Sequence, residues 1–376
     1  MPDENTAPEW TDNTYRESIT EAVFDASFSQ ARLTSLFKFF AYCPSLATIS
    51  ALENLNTSNV TDMSALFSGC ISITSLDLSN FDTSNVKTMR NMFNNCQALT
   101  RLNISNLNTR NVTDMAYMFS HCQSLTSLDI SRFNTSNVTT MRTMFQDCQS
   151  LTSLDVSGFN TELVTDMGYM FSRCQNITKL DIGNFNTSHV TNMSYMFQSC
   201  RKLISIDLSS LDTNAVTSMI GMFNNCMGLL SLDLSNFRTK NVQDMMMMFL
   251  NCRNLTDITF GKNFTALNHS NINTCENLKT VNAQMATPFT ISSECFASTV
   301  TSNATLKVPA GTKTLYQTAE GWKEFWNIVE YDATTIKSTN TDCMENKPAI
   351  YDLNGHRMRS THRKGLYIIG GKKIAM

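Results

Sequence analysis

The stretch Asn111–Ser136, NVTDMAYMFSHCQSLTSLDISRFNTS, decides the fold, because it returns along the chain at a fixed interval. Within it, Met115, Met118 and Cys122 bring two thioethers and a thiol close together, with Phe119 among them. Taken alone, that box suits a soft metal such as Cu(I). Its recurrence changes the reading. Cys70, Cys96, Cys122, Cys148, Cys174, Cys200, Cys226 and Cys252 are evenly spaced, one per copy, and Cys43 precedes them by the same interval plus a single insertion. A period in this range specifies stacked coils, in which each copy buries its apolar face only against its neighbours.

Each copy has two parts. Val112, Met115, Met118, Phe119 and Cys122 fall at steps of three and four, which predicts one face of a short helix. Asp114 adds negative charge in its first turn, where the helix dipole favours it. Leu125, Leu128, Ile130 and Phe133 then read L-x-x-L-x-[LI]-x-x-F, and predict a strand around Leu128 and Ile130. Stacking such units gives an α/β repeat. The expected fold is a leucine-rich-repeat solenoid with a parallel β-sheet on one face and short helices on the other, plus a small C-terminal β appendage. At about 4.8 Å per strand, eight coils span about 40 Å. Phe133 departs from the Asn or Cys common at that position, which leaves the turn chemistry there open.

Stacking turns each repeat position into a row. Met63, Met89, Met115, Met141, Met167, Met193, Met219 and Met245 share one register, and a second methionine row follows one turn on. Leu66 interrupts that second row in the first copy, and leucine is no metal ligand. The row also lies on the face that must be buried beside phenylalanine, which methionine packs well against. The sulfur reads as core, with no metal and no cofactor. Equivalent cysteines point the same way on adjacent coils, so reduced, buried thiols are expected. Cys275, Cys295 and Cys343 fall outside the row, and their redox state stays open.

The candidate binding residues lie elsewhere. Asp77, Asp129, Asp155, Asp181, Asp207 and Asp233 alternate with core aliphatics and point out of the strand face, mostly between serines. Like charges on neighbouring strands repel and need compensation. Serine hydroxyls and solvent supply it in one reading, and a bound cation in the other. Tyr117, Tyr169 and Tyr195 share a register on the opposite side, where other copies vary, and form a second candidate partner surface. Catalysis finds no support: the five histidines are scattered, and no metalloprotease, nucleophile-elbow or phosphate-loop pattern occurs. A net charge of −3 offers no broad basic field for nucleic acid, and no apolar run reaches a membrane-spanning length.

The consensus LTSLDLSNFxTSNVTDMxxMFxxC resembles the BspA-like leucine-rich repeats of bacterial surface proteins, abundant also in mycoplasmas. The resemblance covers roughly Cys43 to Phe260. Ala304–Asp332 is similar to the segment closing many proteins of that family, and Ala349–Met376 to C-terminal segments of secreted and surface proteins from Bacteroidales. Together these imply an extracellular or cell-surface protein whose leader is trimmed from this chain. They also imply adhesion to a host or matrix protein or a repetitive glycan, with self-association as the alternative. The expected domains are a helical cap (1–42), regular repeats (43–264), a degenerate repeat and C-terminal cap (265–333), and a linker with the β appendage (334–376). Turns are expected at Asn354-Gly355 and Gly370-Gly371.

Overall fold

The computed structural model describes residues 15–267 and 269–331, together with the backbone of four short strands nearer the C-terminus. The first unit, Met1–Glu330, is the solenoid. Its apolar interior is one continuous cluster running from Phe24 to Ile328.

Two ladders run along the stack. On the strand face, β1 (Glu21–Val23) pairs in parallel with β2 (Thr48–Ser50), and β3 (Ser75–Asp77) with β4 (Arg101–Asn103). Further on, β5 (Ser231–Leu234), β6 (Asp257–Phe260), β7 (Thr280–Ala283), β8 (Thr305–Pro309) and β9 (Asn327–Tyr331) form one sheet in that order. Ser75 stands opposite Arg101, and Asp257 opposite Thr280. Between β4 and β5 the copies at Leu128, Leu154, Leu180 and Ile206 form no strand among the described residues. They keep the alternation, with Asp129 exposed and Ile130 buried.

The unbroken ladder lies instead where each copy enters its sulfur box. Parallel bridges link Ser35, Asp62, Thr88, Asp114, Thr140, Asp166, Asn192, Ser218 and Asp244 in succession. Beyond each bridge the expected helix is absent. In its place stand two consecutive turns. Met118, Ser120 and Cys122 donate backbone N–H groups back to the carbonyls of Met115, Tyr117 and Phe119. Tyr117, Phe119 and His121 donate to Arg142, Met144 and Gln146 of the next coil. Tyr117 (φ +61°) and His121 (φ +59°) sit in the left-handed region that ends each turn. An α-helix would turn every N–H inward to its own coil. Here alternate N–H groups bond along the stack, and those bonds offset left-handed residues that cost about 1–3 kcal/mol each. Successive tight turns place side chains at nearly the same spacing as a helix, so the pattern mimics one.

The rows pack as the sulfur-core reading requires. Met115, Met118, Phe119 and Cys122 are fully buried. The Phe rings stack from coil to coil, with Phe93–Phe119 at 5.6 Å and 7° and Phe119–Phe145 at 5.7 Å and 4°. Each thiol donates to a carbonyl of the preceding coil: Cys122 Sγ to Phe93 O at 3.2 Å, Cys148 Sγ to Phe119 O at 3.1 Å. Burial pushes the Cys122 and Cys200 thiols up to about 12, so they stay protonated. All described cysteines, Cys275 and Cys295 included, are free thiols; Cys343 lies outside the described residues. Phe133 fills core space against Phe119 at 6.4 Å. The inter-coil duty of the missing Asn falls to buried threonines. Thr109 Oγ1 donates to Asn134 O at 2.9 Å and accepts from Asn134 N at 2.8 Å.

The segment before Cys43, expected as a helical cap, carries β1 and a 3-10 turn (Ala26–Gln30) within an additional coil. Leu36, Phe39, Phe40 and Cys43 occupy the Met, Met, Phe and Cys places of that coil, and Phe40 stacks on Phe67 at 5.7 Å. At the other end lie α1 (Ser298–Asn303), α2 (Lys313–Thr318) and a 3-10 turn at Trp322–Glu324. Tyr316 OH donates to Met285 O at 2.9 Å and Trp322 Nε1 to Phe289 O at 2.7 Å, which fixes two buried aromatics there. The second unit, Tyr331–Met376, contains an antiparallel sheet of β10 (Ile350–Tyr351), β11 (Arg357–Met358), β12 (Leu366–Ile369) and β13 (Lys372–Ala375), ordered β11-β10-β12-β13. The turn residues Asn354, Gly355, Gly370 and Gly371, and the linker ahead of them, lie outside the described residues.

Candidate binding faces

The aspartates of the strand face are exposed, and each closes the corner that follows its strand. Asp129 Oδ1 accepts from Ser131 N at 3.1 Å and from Ser131 Oγ at 2.7 Å. Asp155 repeats this with Ser157 at 3.0 and 2.6 Å. Asp181, Asp207 and Asp233 accept from the amides of Gly183, Ser209 and Ser235 at 3.1, 2.9 and 2.9 Å. Asp77 accepts from Ser79 N, and Asn103 Nδ2 joins the two coils by donating to it at 2.9 Å. The backbone amide of Ser79, and the hydroxyls of Ser131 and Ser157, hold the Asp77, Asp129 and Asp155 carboxyls below the usual carboxylate range. Serine therefore supplies local compensation, and the carboxylates stay charged. Among the described residues no three Cys, His, Asp or Glu side chains converge as a metal site would require.

The tyrosine register belongs to a different network. Tyr117, Tyr169 and Tyr195 are half-buried at left-handed positions of the turn face. Arg90 lies 5.3 Å from the Tyr117 ring and Arg142 lies 5.4 Å from the Tyr169 ring. The same arginines pair with Asp114 at 3.2 Å and Asp166 at 3.4 Å. Tyr169 and Tyr195 stack at 4.7 Å, and the Tyr195 ring covers Gly221, where a Cβ would meet it at 2.3 Å. These rings are largely spent on neighbouring coils.

A family model described as "Mycoplasma protein of unknown function, DUF285" matches residues 17–125, 98–180 and 174–289, most of the solenoid. The chain belongs to the DUF285 family. No curated protein sequence matches this DUF285 chain. Solved structures similar to it include a leucine-rich repeat protein from Bacteroides ovatus, at 15% identity and TM-score 0.46, covering 83% of this chain and 74% of that one. A leucine-rich cell surface protein from Faecalibacterium prausnitzii shows 18% identity and TM-score 0.31, covering 83% of each chain. A leucine-rich repeat protein from Leptospira interrogans shows 13% identity and TM-score 0.28, covering 82% and 81%.

Two features of this DUF285 solenoid escape a reading of rows as uniform. The strand face carries Ile204 and Leu230, 52% and 48% exposed, where other copies place Thr74, Thr100, Thr126, Thr152 and Thr178. Leu230 N donates to Ile204 O at 3.1 Å, so the two aliphatics sit on adjacent coils next to Asp207 and Asp233. The sequence signal was the loss of threonine from one outward row. The second feature is Asp147, buried, with Oδ2 3.0 Å from His121 Nδ1 and Oδ1 3.2 Å from Arg173 Nε. Gln123 and Gln149 donate to it at 3.2 and 2.7 Å. Burial raises this carboxyl, but His121, Gln149 and Arg173 outweigh it and leave the group below its ordinary value. Its signal was a histidine, an aspartate and an arginine at one register of three successive copies. Among the described residues no helix is long and apolar enough to cross a membrane.

Proposed function

We propose that the solenoid is a non-enzymatic binding protein of the bacterial exterior, engaging a repetitive host, matrix or glycan partner through its strand face. The observation that carries the reading is the exposed Ile204–Leu230 pair, set beside a row of charged aspartates spaced one per coil. Exposed aliphatics replacing threonine give up solubility without gaining core packing, as expected where a partner covers them. The flanking carboxylates sit at one register and suit a partner that repeats its own polar groups. The tyrosine face is less suited, because its rings already pack against arginine, glycine and one another.

The test is a binding screen of the full chain against matrix proteins and polymeric glycans. The Ile204→Thr/Leu230→Thr pair restores the residue that other coils carry. Binding should fall at least tenfold in that pair and change little in Tyr117→Ala. Concentration-dependent light scattering without any partner in the screen would instead favour a self-assembling surface component.

A further inference from the structure

The coil that follows Cys252 is short. Cys275 arrives earlier than the regular period would place it, and the loss falls on the turn face. Met247 N there donates to His269 O at 2.8 Å and Phe249 N to Ser270 O at 2.9 Å, continuing the ladder that earlier joins Phe223 N to Met248 O. Ser270 therefore occupies the place that Met248 fills one coil earlier. A methionine thioether is replaced by a hydroxyl. Ser270 is 1% exposed, and its Oγ is buried without a hydrogen-bond partner among the described residues. An unmet hydroxyl in an otherwise apolar row costs free energy, and the volume lost with the methionine stays open beside it.

That volume is a cavity of about 270 Å³, floored by Leu267 and Ser270. His269, Asn271, Asn273, Ser292 and Glu294 surround it. Elsewhere in the repeats asparagine side chains are committed to the preceding coil, as where Asn111 Nδ2 donates to Ser84 O at 2.7 Å and Asn137 Nδ2 to Arg110 O at 2.8 Å. Around the cavity the side chains of His269, Asn271, Asn273 and Glu294 hold no hydrogen bond among the described residues. Ser292 Oγ accepts from Glu294 N at 3.2 Å. The site thus gathers uncommitted donors and acceptors where the regular fold would have placed a buried methionine.

We propose that this cavity binds a single neutral sugar ring. No lysine or arginine lines it, and Glu294 does, so an anionic ligand such as phosphate meets only repulsion. Amide, imidazole, hydroxyl and carboxylate groups together match a ring of hydroxyls that both donate and accept. The size suits one ring rather than a larger ligand, since drug-sized sites begin near about 300 Å³. Being on the turn face, the site is separate from the strand face and does not depend on it.

Saturation-transfer NMR on the full chain tests this with methyl glucoside, methyl galactoside, N-acetylglucosamine and inorganic phosphate as probes. At least one glycoside should receive saturation and phosphate should not compete with it. Ser270→Met, which restores the repeat residue and fills the cavity, should abolish the signal with an unchanged or higher thermal midpoint. Glu294→Ala, on the exposed rim, should weaken it at least fivefold and serves if Ser270→Met folds poorly. The Ile204→Thr/Leu230→Thr pair should leave it intact. Absence of signal from all three glycosides, competition by phosphate, or a signal undiminished in either cavity variant would overturn the proposal.

Discussion

Single residues in the repeat divide into those that fill space and those that carry charge. Met118 fills space: it is fully buried, and Leu66 occupies its place in the first copy. Met118→Leu should therefore lower stability by less than about 1.5 kcal/mol, as volume-conserving core changes do; a urea melt measures it. Asp147 carries charge. Because its folded pKa is depressed, the stability it supplies is present above the unfolded value and is lost as pH falls through the folded one. Its partners His121 and Arg173 are partly exposed, at 39% and 49%, so solvent tempers the pair. Asp147→Asn should cost about 1–2 kcal/mol at pH 7, and most of that difference should vanish at pH 3. Thermal melts of both proteins at the two pH values give the comparison. An undiminished gap at pH 3 would contradict the charged role.

At the scale of elements, the turn face shows how far the sequence carries. Which side chains face inward was legible, since Met115, Met118, Phe119 and Cys122 all point into the core. The backbone that places them there was not. Two linked turns and one helix share nearly the same spacing, and the hydrogen bonds that distinguish them run to a different coil, as from Tyr117 N to Arg142 O. The first coil was hidden for a different reason, because Leu36, Phe39 and Phe40 stand in for the usual residues. The left-handed corners give the element-level prediction. Gly221 (φ +55°) lies under the Tyr195 ring, where a Cβ would meet the ring at 2.3 Å. Gly221→Ala should destabilise by about 1–3 kcal/mol, and the Gly221→Ala/Tyr195→Ala pair should recover much of it. Additive losses in that cycle would separate the two residues.

Over the whole molecule, the outward rows were legible as positions and not as functions. Asp129 and its equivalents do point outward, but their serine bonds, at 2.7 Å for Ser131 Oγ, depend on corner geometry that spacing alone does not fix. The Ser270 cavity was invisible because it arises from a shortened coil and one substitution acting together. Repeat logic also governs tolerance to length change. Removing 137–162, one full period, should leave a cooperative fold because each coil touches only its neighbours. Removing only the first half of that segment, 137–149, should not, since it would set turn residues against strand residues; circular dichroism melts distinguish the two.

The account rests on sulfur being a structural ladder and not a metal or redox device, and thiol labelling with mass spectrometry tests that most directly. In the native protein, without added metal or chelator, Cys70 through Cys252 should all stay unlabelled and should become reactive together as denaturant opens the stack. Labelling of any one of them in the native state, or protection that a chelator removes, would contradict it.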